Sequence, residues 1–295
     1  MKAAIVDVGS NTVRLLVATS DGATVEAVRE EREHLLLGRA VERAGKLAAA
    51  RIDEAARCAA EYARLARGLG ARDVDVIVTA PGRQAANGDE LVRALAGASG
   101  ARVRLVSPEE EGRLAFIGAV AAANRVAGSV AVCDTGGGST EVVVGTVRGG
   151  PAWTRSYDVG AVRLTERYLS ADPPGKGALA RAREEVERQL SGFTPPLPQV
   201  ALAAGGTARA LRKLAGRTLG PSELAEALRE LCRRPSEKTA KALGLHPHRV
   251  RTLPAGTVVL AAVQERLGVP LEVSRAGLRE GALLALVAEL SASAA

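Results

Sequence analysis

Val130-Ala131-Val132-Cys133-Asp134-Thr135-Gly136-Gly137-Gly138-Ser139-Thr140-Glu141-Val142-Val143-Val144 reads as a buried strand, a turn of three glycines with a Ser-Thr pair, and a second apolar strand. Asp134 stands before the turn and Glu141 after it. Glycine allows close backbone approach and positive φ, so consecutive amides of such a turn can converge on an anion. Two carboxylates beside that nest would repel a phosphate unless a hard cation lay between them. Mg²⁺ held by one or two carboxylates plus substrate phosphates is such an arrangement. The stretch points to a metal-assisted phosphate site. An ordinary glycine hairpin needs neither three glycines nor both acids.

The pattern occurs a second time. Ala4-Ile5-Val6-Asp7-Val8-Gly9-Ser10-Asn11-Thr12-Val13-Arg14-Leu15-Leu16-Val17 also reads as strand, tight turn, strand. Asp7 falls on Asp134, Gly9 on Gly136, Ser10-Asn11-Thr12 on Gly137-Gly138-Ser139, and Arg14 on Glu141. A repeated unit of this kind indicates a duplicated domain. The expected division is residues 1–118 and 119–295, an α/β chain with both turns pointing into one cleft. Residues 118–124 read as a hinge between the halves.

Between the two hairpins, residues 24–28 read as a third strand followed by a charged segment, and 46–68 have helical spacing. Residues 74–79 form a buried strand running into Ala80-Pro81-Gly82-Arg83-Gln84-Ala85-Ala86-Asn87. This places Arg83 and Asn87 at a strand's carboxyl end, where α/β sheets bind ligands. Residues 103–106 are another strand, and Ser107 with Glu110 and Pro108 looks like a capping box opening a helix. Glu109 and Glu110 are then dipole partners of that helix. In the second half, residues 154–157 and 199–204 read as strands, and 178–190, 222–233 and 253–267 as helices, the last opened by Pro254. Gly205-Gly206-Thr207 is a third glycine-rich strand-to-helix turn, suited to phosphate or ribose contact. A short strand at 271–274 precedes a last helix whose final residues, 291–295, should fray.

Composition narrows the class. Apolar residues make up 47% of the 295, enough for a sizeable core, but aromatics only 2%, which disfavours a single-strand nucleic-acid binder built on base stacking. Cys58, Cys133 and Cys232 are far apart and form no CxxC pair, which fits a reducing cytosol rather than a disulfide framework or zinc site. His246 and His248 flank Pro247 without a supporting acid or cysteine cluster. The start of the chain lacks a signal-peptide core and no apolar run spans a bilayer, so a cytoplasmic location is expected, with no membrane partner. Residues 1–118 balance their charges, so the second half carries the whole net +7, most densely over 205–251. A polyanionic partner would meet that half.

Read together, Asp7-Val8-Gly9-Ser10-Asn11-Thr12, Arg83 after its strand, Glu110-Glu111-Gly112-Arg113-Leu114, the Asp134–Glu141 run, Gly205-Gly206-Thr207 and Gly277-Leu278-Arg279-Glu280-Gly281 resemble the exopolyphosphatase/guanosine pentaphosphate phosphohydrolase (Ppx/GppA) family over essentially the whole chain. The resemblance implies duplicated ribonuclease H-like domains of the actin-like ATPase fold. It implies phosphate binding by Gly9, Ser10, Asn11, Gly136, Gly137, Gly138, Ser139, Thr140, Gly206 and Thr207. Glu111 would be the catalytic base, Arg83 would hold the phosphate near the point of attack, and Asp134 and Glu141 would bind Mg²⁺. Asp7 as a further ligand, Mn²⁺ as a substitute and homodimer formation are left open. Many members carry a further C-terminal helical domain, for which 295 residues leave no room. Thr135 replaces a usual apolar residue, and Ala80-Pro81-Gly82 is unusually small and rigid before Arg83.

The expected activity is exopolyphosphatase: hydrolysis of the terminal phosphoanhydride of inorganic polyphosphate. Guanosine pentaphosphate is the alternative substrate, disfavoured by the scarcity of aromatics for stacking a purine. A sugar-type kinase of the same fold would need an acceptor domain that the sequence does not display. A non-catalytic polyphosphate or nucleotide sensor would lack the base or a metal acid, whereas Glu111, Asp134 and Glu141 are all present.

Overall fold

The computed structural model describes residues 1–123 and 127–294, the last by its backbone alone. Its contacts divide the chain into two units, Met1–Ala122 with Ala276–Ala295, and Ala123–Arg275. The first unit runs β1 (Lys2–Val8), β2 (Val13–Ser20), β3 (Val25–Glu33), α1 (Leu37–Ala44), α2 (Ala49–Gly68), β4 (Asp73–Val78), α3 (Ala80–Gln84), α4 (Gly88–Ser99), β5 (Arg102–Leu105) and α5 (Pro108–Ala121). The sheet order is β3-β2-β1-β4-β5. The first three strands pair antiparallel, and β1, β4 and β5 pair parallel.

Strand β1 is apolar on both sides because both faces are covered. Ala4, Val6 and Val8 join the core that includes Ile52, Ala55 and Leu91, while Ala3 and Ile5 join a second core that includes Leu114. A strand buried on both faces reads as a continuous apolar run, not an alternation. The charged segment after residue 28 belongs to β3, an exposed edge strand. Charged side chains along an edge discourage pairing with other chains, so the strand is longer than its apolar residues suggest.

The second unit runs β6 (Ser129–Thr135), β7 (Thr140–Thr146), β8 (Gly150–Tyr157), α6 (Ala161–Tyr168), α7 (Lys176–Gln189), β9 (Val200–Ala204), α8 (Gly205–Ala215), β10 (Thr218–Leu219), α9 (Pro221–Leu231), α10 (Ser236–Leu243), α11 (Pro247–Leu267) and β11 (Leu271–Val273). Its sheet order is β10-β11-β9-β6-β7-β8. Read from β8 to β11, this repeats the order of the first sheet. The antiparallel pairs β6/β7 and β7/β8 and the parallel pairs β6/β9 and β9/β11 match those of the first sheet. Asp7 pairs with Arg14 and Asp134 with Glu141, so the repeat seen in the sequence holds to the register. The chain has duplicated α/β domains.

Helix α11 starts at Pro247, six residues before the expected opening at 253, with His246 as its N-cap and Pro254 inside it. An interior proline costs ~3 kcal/mol. Burying each Val or Leu side chain returns ~1.5–3 kcal/mol, and Val250, Leu253, Val258, Val259 and Leu260 are all buried here. The burial wins.

The last helix, α12 (Leu278–Ala294), packs on the first unit, although it follows the second half in sequence. The expected second domain, 119–295, is therefore shortened at its end. Leu283, Leu286 and Val287 close the core around Ile5, Leu16 and Ile77. Residues 118–121, expected to be part of a hinge, are the last turn of α5, whereas Asn124 lies outside the described residues. Residues 291–294, expected to fray, remain helical, and Ala295 is outside the described residues. Among the described residues no helix is long and apolar enough to cross a membrane.

Candidate active site

In the first unit the parallel strands end side by side. Val8 is in register with Val78, and Val78 with Leu105. The segments that follow, Gly9 to Asn11, Thr79 to Arg83, and Val106 to Glu111, therefore leave the same edge of the sheet. Thr79 N donates to Val8 O at 3.2 Å and Val106 N to Val78 O at 2.9 Å, continuing the ladder past the strand ends.

Arg83 sits on α3 and reaches across this edge. Its Nη1 donates to Val106 O at 2.7 Å and to Glu111 Oε2 at 2.8 Å. The two side chains are only 15% and 11% exposed. A charge-assisted hydrogen bond of this length fixes the orientation of both groups. The small residues before Arg83 have a packing reason: a Cβ on Gly82 would stand 2.6 Å from Val78 Cγ1 and 2.8 Å from Leu105 Cδ1.

Glu111 projects from the first turn of α5. Ser107 caps that helix, its hydroxyl accepting from Glu110 N at 3.1 Å. The reciprocal half of the expected capping box is replaced, because the Glu110 carboxylate turns to Arg113 at 2.6 and 2.7 Å. Asn87, expected at the strand end, instead braces the loop before α2, accepting from Leu47 N and donating to Leu47 O.

The turn at Gly9 closes through Gly9 N to Thr12 O at 3.0 Å, and α1 is seated on it. Gly38 N donates to Ser10 O and Leu36 N to Asn11 O. Ser10 and Asn11 are buried. Neither Oδ1 nor Nδ2 of Asn11 has a hydrogen-bond partner among the described residues. Buried amides normally have partners, so Asn11 is suited to engage a bound group.

In the second unit, Asp134 and Glu141 stand directly opposite each other on β6 and β7, which puts their side chains on one face of the sheet. Ser156 Oγ, from β8, donates to Glu141 Oε1 at 2.8 Å and fixes that buried carboxylate. The glycine turn is tied back by its carbonyls: Ala161 N donates to Gly136 O, and Val162 N and Arg163 N donate to Gly137 O, all at 2.9–3.0 Å. A side chain on Gly160 would put its Cβ 2.5 Å from Gly137, so α6 seats against the turn only with glycine there. With Gly136 N given to Ser139 O, the amides of Gly137, Gly138 and Ser139 have no backbone acceptor among the described residues. Amides left in this way at a turn are what binds an anion. Thr140 serves differently from the expectation of phosphate contact. Its hydroxyl is buried and donates to Val159 O at 2.5 Å.

Gly205 and Gly206 open α8, which follows β9 directly beside β6. Gly205 has φ +81°, and a Cβ there would lie 2.2 Å from Asp134 Oδ1. The backbone conformation strains any other residue here, and an added side chain would displace the acid. A Cβ on Gly206 would lie 2.8 Å from Arg249 Nη2, and Thr207 is buried against Gly256 of α11. Arg249 and Ser156 are the residues that sequence reasoning missed. Ser156 could have been found as the cross-strand neighbour of Glu141; Arg249 carried no signal beyond a basic run.

Asp134 and Glu141 offer hard oxygen donors on adjacent strands, the kind of set that holds Mg²⁺. Among the described residues no group of three or more His, Cys, Asp or Glu is placed to hold a metal, so a cation here would rely on other oxygens as well. Cys133, behind the pair, is not a reactive thiol: burial pushes it up to about 12, with Asp134 and Glu141 adding to the rise against its hydrogen bond with Thr135.

Residues 16–290 match the model of the Ppx/GppA phosphatase family. The chain belongs to that family. Among its Ppx/GppA relatives, Exopolyphosphatase 2 of Mycobacterium tuberculosis is 30% identical, with 97% of this chain and 98% of that protein covered. Exopolyphosphatase 1 of Mycobacterium leprae is 28% identical, with 96% and 89% covered. The Ppx/GppA family member of Aquifex aeolicus, a crystal structure, superposes with a TM-score of 0.81 at 29% identity, covering 98% of each chain.

Proposed function

We propose that this Ppx/GppA chain is an exopolyphosphatase, hydrolysing the terminal phosphoanhydride of inorganic polyphosphate with Mg²⁺. The observation that carries the reading is the Arg83–Glu111 contact of 2.8 Å at the carboxyl edge of the first sheet. It orients a carboxylate that can accept a proton, beside a guanidinium that can also meet phosphate oxygens. The two exopolyphosphatases among its relatives support the same substrate class.

In this reading a water oxygen attacks the terminal phosphorus while one of its protons passes to Glu111. The bond from that phosphorus to the bridging oxygen breaks, and its electrons leave with the shortened chain. Phosphoryl transfer depends on positioning and on charge at the phosphoryl oxygens rather than on covalent help from the protein. In the first unit Arg83 supplies part of that charge, and Gly9, Ser10 and Asn11 offer contacts to further phosphate oxygens. In the second unit the amides of Gly137, Gly138 and Ser139, with Gly206 and Thr207, are the phosphate-binding groups of this reading. Mg²⁺, when bound by Asp134 and Glu141, supplies the remaining positive charge.

Phosphate release from long-chain polyphosphate, short-chain polyphosphate and guanosine pentaphosphate tests the reading. Release from polyphosphate with Mg²⁺ is expected. Turnover of guanosine pentaphosphate alone would replace the substrate, and no release from any of the three would reject hydrolysis.

A further inference from the structure

Gly277-Leu278-Arg279-Glu280-Gly281 has no part in the chemistry above, yet it makes a backbone-to-backbone helix contact in the first unit. A Cβ on Gly281 would stand 1.8 Å from Leu114 O, and one on Gly118 would stand 2.0 Å from Gly277 O and 2.6 Å from Gly281 N. Helices α5 and α12 therefore meet backbone to backbone, closer than any side chain allows. Leu114 and Gly118 follow Glu111 by one and two helical turns on the same helix, so this seam lies along the face that carries the carboxylate.

Helix α12 is itself fixed. Arg279, 3% exposed, donates to Leu15 O at 3.1 Å and to Glu30 Oε1 at 2.7 Å, tying the helix start to β2 and β3. Glu280 Oε2 accepts from Gly277 N at 2.8 Å and closes the first turn. The backbone of Glu111 is thereby set by the glycine seam, while its side chain is set by Arg83.

We propose that Gly118, Gly281 and Arg279 are positioning residues for Glu111, acting through the axial placement of α5. The proposal rests on the reading of Glu111 as the base. Misplacing a reacting group by about 1 Å can cost about 10²-fold in rate. Gly281→Ala forces the helices apart, so kcat on polyphosphate should fall roughly tenfold to a hundredfold while KM changes less than about threefold. In a Glu111→Gln background the same substitution should add nothing, because the group it misplaces is gone. Leu286→Ala supplies the comparison: it removes buried packing from α12 and leaves the glycines of the seam in place, so the protein should melt earlier and keep its kcat.

Each full-length variant is assayed below its melting temperature, with circular dichroism confirming the fold. Equal loss of kcat in Gly281→Ala and Leu286→Ala, or an additive loss on top of Glu111→Gln, would overturn the proposal. If Gly281→Ala does not fold, Arg279→Lys is read against the same criteria. A Glu111→Gln enzyme with wild-type turnover would reject the base and this inference with it. A slow Glu111→Gln enzyme beside an unimpaired Gly281→Ala would reject the positioning alone.

Discussion

Arg83 and Glu111 come from two helices that follow neighbouring parallel strands, and they meet at 2.8 Å with both side chains largely buried. Removing one partner of a buried pair leaves the other charge uncompensated, at a cost of ~3 kcal/mol. Arg83→Met should lower unfolding stability by about that much, since Val106 O loses its donor as well. Polyphosphate hydrolysis should fall by about 10² or more, with KM rising. Urea unfolding and phosphate release check the two effects. A stable variant of normal activity would show that the pair does neither.

Gly205 stands against Asp134, so Gly205→Ala is expected to act on metal use. The added methyl meets Asp134 Oδ1 at 2.2 Å and the residue must keep φ +81°, which costs ~1–2 kcal/mol for an L-residue. The Mg²⁺ concentration for half-maximal rate should rise roughly tenfold, ~1.4 kcal/mol. Chelation by EDTA should abolish activity in wild type and variant alike. An unaltered Mg²⁺ titration would separate Asp134 from the metal.

Burial pushes the thiols of Cys133 and Cys58 up from the ordinary 9.0 to about 12. Both groups are neutral in the folded chain where the unfolded chain would ionise them. Their contribution is therefore present in full below pH 9 and is lost as pH rises from about 9 to about 12. Urea midpoints should fall across this window, and Cys133→Ala should flatten the fall. At pH 8 the folded protein should react slowly with thiol reagents and the urea-unfolded protein quickly. Fast labelling of Cys133 in the folded state would contradict its burial.

Salt should weaken the binding of long polyphosphate more than that of short chains, by release of counterions along the basic stretch 205–251. Part of that charge is already used: Arg229 pairs with Glu226, and Arg233 and Arg234 with Glu230. The slope of log KM against log salt should therefore be smaller than the formal charge implies. A slope near zero would confine those residues to the surface.

The hairpins were the most legible part of the chain. The acid, glycine and apolar flanks of residues 7–17 recur at 134–144, and the ladders place Asp7 opposite Arg14 and Asp134 opposite Glu141. Local chemistry sufficed there because a tight turn and two short strands are specified by adjacent residues. The paths of the last helix and of α11 were not legible. Both depend on contacts between residues distant in sequence, such as Gly281 on Leu114 O, and in α11 buried apolar residues outweigh the proline inside the helix. Within the site, Arg83 and Glu111 were each singled out, but their contact is a tertiary fact. The family resemblance implies phosphate contact at Thr140 as part of the glycine turn. In the fold its hydroxyl holds Val159 O, since strand β7 turns it inward.

Phosphate release from polyphosphate by wild type and Glu111→Gln, at saturating Mg²⁺ and matched folded concentration, bears most directly on the central claim. Glutamine keeps the size and the acceptor for Arg83 but cannot take the proton. Loss of ~10²–10⁴ in kcat with KM nearly unchanged is the predicted result. Turnover at the wild-type rate would contradict it.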